Sequence, residues 1–225
     1  MFATLATADF WLMMGRGLLE TFYMVVVSTL LAYLIGLPLG LVLAVTDSEG
    51  LRPSPVLNKI LGTIVNLLRS VPFLIMVFLL NGLTLLIVGT TVGTKATIVP
   101  LVVAAFPFVA RLVETSLREL DEGVVEAAQS MGATPFQIIT KVMIPECLPG
   151  LISSMTTALT TILGYSAMSG VIGGGGLGKI ALSYGYYRYQ TNIMIVCVVL
   201  LVLMVQVFQT VGTFWAAKSD KRLRK

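Results

Sequence analysis

The sequence predicts an all-α integral membrane protein that crosses the bilayer five times. Three observations carry that expectation. Hydrophobic residues make up 56% of the chain and charged residues only 12%, about half the charge of a soluble domain. Mean hydropathy is +0.94. The charges cluster between uncharged stretches, several of them at or above the roughly 20 residues a helix needs to cross a bilayer. There is no histidine, which excludes histidine-based triads, metal sites and proton relays. Cys147 and Cys197 lie in or beside apolar runs and read as packing residues rather than a disulfide or metal pair.

The first span is Thr21–Thr46, bounded by Glu20 and Asp47. It is too long for a signal-peptide core and no small-residue cleavage site follows it, so it reads as retained. Ser70–Thr94 contains the second. Ala96–Ala110 is the core of a short third, with Lys95 and Arg111 placed to snorkel at its ends. Gly89 and Gly93 predict a tight hairpin between the second and third. Leu148–Ile172 and Tyr189–Ala217 are the fourth and fifth.

Five crossings place the termini on opposite sides. The tail carries Lys218, Lys221, Arg222, Arg224 and Lys225 and should be cytoplasmic, leaving the N-terminus periplasmic. The loops after spans one and three then also face the cytoplasm, with Arg52, Lys59, Arg111, Arg118 and Lys141. The outer side keeps Arg16, Lys95, Lys179 and Arg188. A basic tail beside a terminal span is an orientation signal, not a nucleic-acid patch.

The spans lack the carboxylate or histidine that an ion-coupled carrier keeps inside the membrane. The one charge near a predicted span is Arg69, in "VNLLRSVPFL". It reads either as an interfacial arginine with its stem in lipid or as a cation lining a pathway. With no driving-ion site, energy for uphill transport should come from another chain. An intramembrane serine protease is disfavoured by the missing histidine and the lack of a carboxylate pair.

The loop between spans three and four is the most informative stretch. "VVEAAQSM" is a good helix former, and Gly132 is a natural stop. In "TPFQ", Thr134 is a cap, Pro135 sits at the first helical position and Gln137 completes a capping box. The second helix carries Phe136, Ile139 and Val142 and should end before Pro145. Two short helices with a tight joint would present apolar residues on the cytoplasmic side, which usually signals a partner.

"VIGGGGLGKI", Val171 to Ile180, spells both a dinucleotide fingerprint, through Gly173, Gly175 and Gly178, and most of a P-loop ending at Lys179. Ile180 stands where Ser or Thr should hold magnesium, and no acidic residue follows until Asp220, so the ribose ligand is missing. These glycines read instead as sites of close helix approach.

Glu126-Ala127-Ala128, then Gly132, then Val142-x-Ile144-Pro145 resembles the E-A-A-x3-G-x9-I-x-L-P signature of ABC importer permeases. "IVNLLRSVPFLI", "IVPLVVAAFPFVARLVETSL" and "GYSAMSGVIGGGGLG" extend the resemblance to the five-helix, type I methionine importer permeases. It covers about Gly17 to the last span. The resemblance implies a single permease domain over 1–225, with its core at about 17–215 and a coupling loop at about 111–147. It implies a homodimer with two ATPase chains, ATP and magnesium on those chains and none here, and a periplasmic binding lipoprotein delivering methionine in its L- or D-form in a bacterial inner membrane. Glu126, Ala127, Ala128, Gly132, Ala133, Thr134, Pro135, Phe136 and Pro145 would couple to the ATPase. Tyr165 and Met168 match positions near the closed gate, where packing between helices is the other reading. Another small solute is the rival substrate. Gly132→Asp is expected to uncouple transport without preventing insertion.

Overall fold

The computed structural model describes residues 8–220. Lys221, Arg222, Arg224 and Lys225 of the basic tail lie outside the described residues. All the regular structure among the described residues is helical. Four helices are long and apolar enough to cross a membrane: α1 (Ala8–Thr46), α5 (Thr94–Arg118), the stretch Leu148–Ile172, and α11 (Thr191–Ser219). A fifth span arises if α2 (Pro55–Ser70) and α3 (Phe73–Leu79), bent by 99°, count as one.

The predicted boundaries need three corrections. The first helix begins at Ala8, so Glu20 lies within it rather than at its edge. The second predicted span is not one helix. Pro72 disfavours helical backbone at the residue before it, so α2 stops at Ser70, and α3 is followed after Leu80 by α4 (Asn81–Val88). The third helix runs on past Ala110 to Arg118, because its charges pair with one another and with neighbours. The expected hairpin before it is present, with Gly89 at φ +79° and Gly93 at φ +99°. The fourth span matches its expected limits, as α9 (Leu148–Met168) followed by a 3₁₀ turn to Ile172.

The chain divides into two compact units. One comprises Met1–Leu31, Val71–Ala105 and Leu159–Gln209. Its core joins Phe10 and Met14 of α1 to Leu177 of α10 (Gly176–Ile180) and to Ile193 and Cys197 of α11. Cys197 Sγ lies 3.9 Å from Met14 Sδ, and both cysteines are buried and outside any disulfide, in keeping with a packing role.

The other unit comprises Ala32–Ser70, Phe106–Ala158 and Thr210–Lys225. Here Gly36 and Gly40 of α1 bring its backbone against Phe106, Val109, Ala110 and Val113 of α5. In lipid, small residues spaced four apart allow such close approach and the dispersion contacts that follow from it. Hydroxyl pairs stitch further helices together. Ser116 and Ser154 share a hydrogen bond of 2.9 Å between α5 and α9, and Tyr33 OH donates to Leu151 O at 3.3 Å.

Candidate functional site

The loop between α5 and α9 is built by local chemistry. Asp121 accepts the Gly123 N–H at 2.8 Å and starts α6 (Glu122–Ser130). The helix ends in a Schellman turn. Gly132 N–H donates to Gln129 O at 2.9 Å and Ala133 N–H to Ala128 O at 3.1 Å, with Gly132 at φ +80°. Thr134 then forms the expected capping box. Its hydroxyl accepts the Gln137 N–H, and Gln137 Oε1 accepts the Thr134 N–H at 2.8 Å, with Pro135 in the first turn of α7 (Pro135–Ile138).

The second helix does not end before Pro145. It widens into a π-helical turn over Ile139–Met143 and passes through Pro145 in α8 (Ile144–Glu146). Proline lacks an N–H and its ring crowds the carbonyl of the residue four back, here Lys141, and the wide turn opens the helix at that point.

Ala128, Ile138 and Met143 are buried and anchor this loop. Glu126, Ala127, Gly132 and Thr134 are exposed, while Ala133, Pro135 and Pro145 are half-buried. Phe136 is 74% exposed, and Met131 on the other side of the turn is 81% exposed. The sequence patterns do not single out Met131, three residues after buried Ala128. As the cap residue (ψ 3°) it leaves the helical path, so a three-residue interval no longer puts it on the buried face. Glu126 and Gln129 line a cleft of about 380 Å³ whose other walls include Asp47, Gly50 and Arg118.

A Cβ at Gly132 would meet nothing within 4 Å. A β-carbon alone therefore meets no clash within this chain. The local penalty is the left-handed backbone, which aspartate tolerates better than a β-branched residue.

Sequence reasoning also missed the charges above this loop. Arg69, exposed in the last turn of α2, is not the one charge near a span. Glu114 in α5 is 3% exposed and holds two arginines, Arg111 Nη1 on Oε2 at 2.6 Å and Arg118 Nη2 on Oε1 at 2.7 Å. Arg111 also donates to Asn66 Oδ1 at 3.1 Å and Arg118 to Asp47. A carboxylate that follows the predicted end of a span is legible only when its distant partners are known.

Of the proposed gate residues, Tyr165 stacks on Phe73, with ring centroids 4.8 Å apart and planes 5° from parallel. Met168, one turn further along α9, is 53% exposed. The glycine segment is held by the chain itself. Glu20 Oε2 accepts the Gly176 N–H at 2.8 Å, and Thr21 Oγ1 accepts the Leu177 N–H at 2.9 Å. The donors that a phosphate would need thus already hold a carboxylate and a hydroxyl. A Cβ at Gly170 would stand 2.5 Å from the Gly178 carbonyl carbon, in line with the close approach expected of these glycines.

The fold and the capped loop define a multi-pass membrane protein of the importer-permease class. Residues 36–225 match the family described as binding-protein-dependent transport system inner membrane component, and the chain belongs to that family. It is thus a transport component rather than an enzyme. It is 50% identical over 203 residues to the probable D-methionine transport system permease protein MetI of Vibrio cholerae, covering 90% of each chain. It is 44% identical to the protein of the same name from Pasteurella multocida, over 96% of this chain and 100% of that one. Its fold matches a chain of the MetNI methionine ABC transporter in inward-facing conformations, with TM-score 0.93, 42% identity, and coverage of 95% of this chain and 99% of that one. An amino acid ABC transporter chain, 23% identical, shares the fold at TM-score 0.69.

Proposed function

We propose that this chain is the membrane subunit through which methionine, in L- or D-form, enters the cytoplasm. It works as one permease domain, paired with a second copy and two ATPase chains that bind ATP and magnesium, and takes its substrate from a periplasmic binding protein. It lies in a bacterial inner membrane with the N-terminus outside and the C-terminus inside. The observation that carries this reading is the doubly capped turn at Gly132–Thr134, with exposed Met131 and Phe136, in a chain 50% identical to a methionine-system permease.

The turn suits mechanical work. Schellman turn and capping box fix the angle between α6 and α7, and buried Ile138 and Met143 tie the pair down. A push by the closing ATPase chains would pass through the π turn and α8 into α9, which carries Tyr165 and Met168. Separation of the Tyr165–Phe73 stack would open an apolar plug. The occupied amides of the glycine segment support the placement of nucleotide on the partner.

Two measurements test this. Deleting the gene should abolish high-affinity uptake of labelled methionine, and restoring it should bring uptake back; unchanged uptake would remove methionine from the reading. Gly132→Val strains the joint by about 1–2 kcal/mol, and should leave ATP hydrolysis by the assembled importer within about twofold while uptake falls at least tenfold. Gly132→Asp, milder within the chain, should act only through the docked ATPase. Full uptake in both variants would sink the coupling role.

A further inference from the structure

Arg69 ends a helix whose two sides are sorted by chemistry. On α2, Val56, Ile60, Ile64 and Leu67 recur every three or four residues, and all are exposed. That spacing lines up one face of a helix, here an apolar face turned away from the protein, as lipid requires. Asn58, Gly62, Val65 and Arg69 recur with the same spacing on the opposite side. The first three pack on the protein. Gly62 and Val65 are buried. Asn58 Nδ2 donates to Leu43 O at 2.7 Å and to Thr46 Oγ1 at 3.3 Å, and Gly62 O accepts from Arg111 Nη2 at 3.3 Å. The register therefore turns Arg69 toward the protein and away from the apolar stripe.

The same contacts set its depth. Asp47 pairs with Arg118, so the ends of α1 and α5 lie level. Asn58 is tied to the last turn of α1, while Asn66 meets Arg111, two turns before the end of α5. α2 thus climbs beside α5. At 1.5 Å per residue, Arg69 stands roughly 15 Å in from those helix ends, against a hydrocarbon core of about 30 Å. An arginine facing lipid at that depth is costly. Arg69 is nonetheless exposed, and it makes no ion pair or hydrogen bond among the described residues. The dipole of α2 favours a cation in its last turn, but that effect is indifferent to which side the cation takes. A guanidinium that is deep, unpaired, exposed and on the protein side is hydrated there, so it borders water inside the membrane.

We propose that Arg69 lines an aqueous passage and takes the carboxylate of an amino-acid solute as it crosses. The proposal deepens the importer reading and rests on it. A guanidinium offers two parallel donors that match a carboxylate. The other cations at this level are engaged, since Arg111 and Arg118 are both held by Glu114. α2 itself carries no carboxylate to compete for Arg69. A hydrated, exposed cation holds its anion weakly, which suits a site that must release what it binds.

The test uses the intact importer, permease pair with ATPase chains and binding protein, in vesicles of phosphatidylethanolamine and phosphatidylglycerol. Arg69→Cys is treated with 2-aminoethyl methanethiosulfonate, which restores a cation, or with the 2-sulfonatoethyl reagent, which adds an anion; freeze–thaw brings each to both faces. Leu67→Cys, at similar depth on the apolar stripe, is the lipid-facing control. Both native cysteines are buried, and treated wild type controls for them. In Arg69→Cys, uptake of labelled methionine should fall at least tenfold while ATP hydrolysis stays within about twofold. The cationic reagent should restore uptake severalfold and the anionic one should not. The anionic reagent should label Arg69→Cys and spare Leu67→Cys. Undiminished uptake in Arg69→Cys overturns the proposal, and so does equal rescue by both reagents. Resistance of Arg69→Cys to the anionic reagent would place the residue in lipid, and a shifted elution volume would assign it to contact between the two copies; either overturns it. Wild type that imports no methionine would instead overturn the importer reading on which the proposal rests.

Discussion

Gly40→Val is expected to destabilise the membrane fold by about 3 kcal/mol or more, at the upper end of the range for overpacked positions. A Cβ at Gly40 would stand 2.5 Å from Ala110 O and 2.7 Å from Val113 Cβ. The first of these is backbone, which cannot rotate away. Gly36, one turn earlier, faces Val109 Cγ1 at 2.7 Å and Phe106 O at 2.8 Å under the same test, so α1 cannot tilt about Gly40 to make room. The helices must separate along this whole crossing and lose its dispersion contacts. Gly40→Ala adds one methyl and should have roughly half the effect. Gly15→Ala, on the same helix, meets nothing within 4 Å and serves as control. Thermal unfolding of detergent-purified protein is the readout. Equal melting temperatures for Gly40→Val and Gly15→Ala would show that the α1–α5 crossing is not tight.

Glu114→Leu should destabilise the fold by about 2–3 kcal/mol. Loss of one member of a buried charge network leaves the others uncompensated. The value falls just below the roughly 3–5 kcal/mol for breaking a fully buried pair because each arginine keeps a second partner, Asn66 for Arg111 and Asp47 for Arg118, and because both are partly exposed. Glu114→Gln preserves the shape and one acceptor and should fall between wild type and Glu114→Leu. Removing a cation as well tests the network. Glu114→Gln combined with Arg111→Met should be less destabilising than the sum of the two single changes. Strict additivity of the melting shifts would show that Glu114 and Arg111 do not act together.

How much was legible in the sequence differs from element to element. The capped turn was read correctly at Gly132, Thr134, Pro135 and Gln137, because caps are made by residues within four positions of one another. Four of the five spans were located for an equally local reason, since crossing a bilayer needs only a sustained apolar stretch. Pro145 misled. Its usual role as a helix stop was set aside by a π turn over Ile139–Met143, which opens the helix where the proline ring would crowd the Lys141 carbonyl.

By itself, then, the sequence determined a helical, membrane-embedded chain, the rough positions of its crossings and the shape of the α6–α7 joint. Each follows from composition or from contacts between near neighbours. Tertiary structure alone decided that Glu114 could lie buried inside α5, because its charge is balanced through arginines tied to Asp47 and Asn66, tens of residues away. It also decided that the Gly176 and Leu177 amides serve Glu20 and Thr21, 156 residues earlier in the chain. A buried charge or a turn's donors take their meaning from partners that only the folded chain brings near.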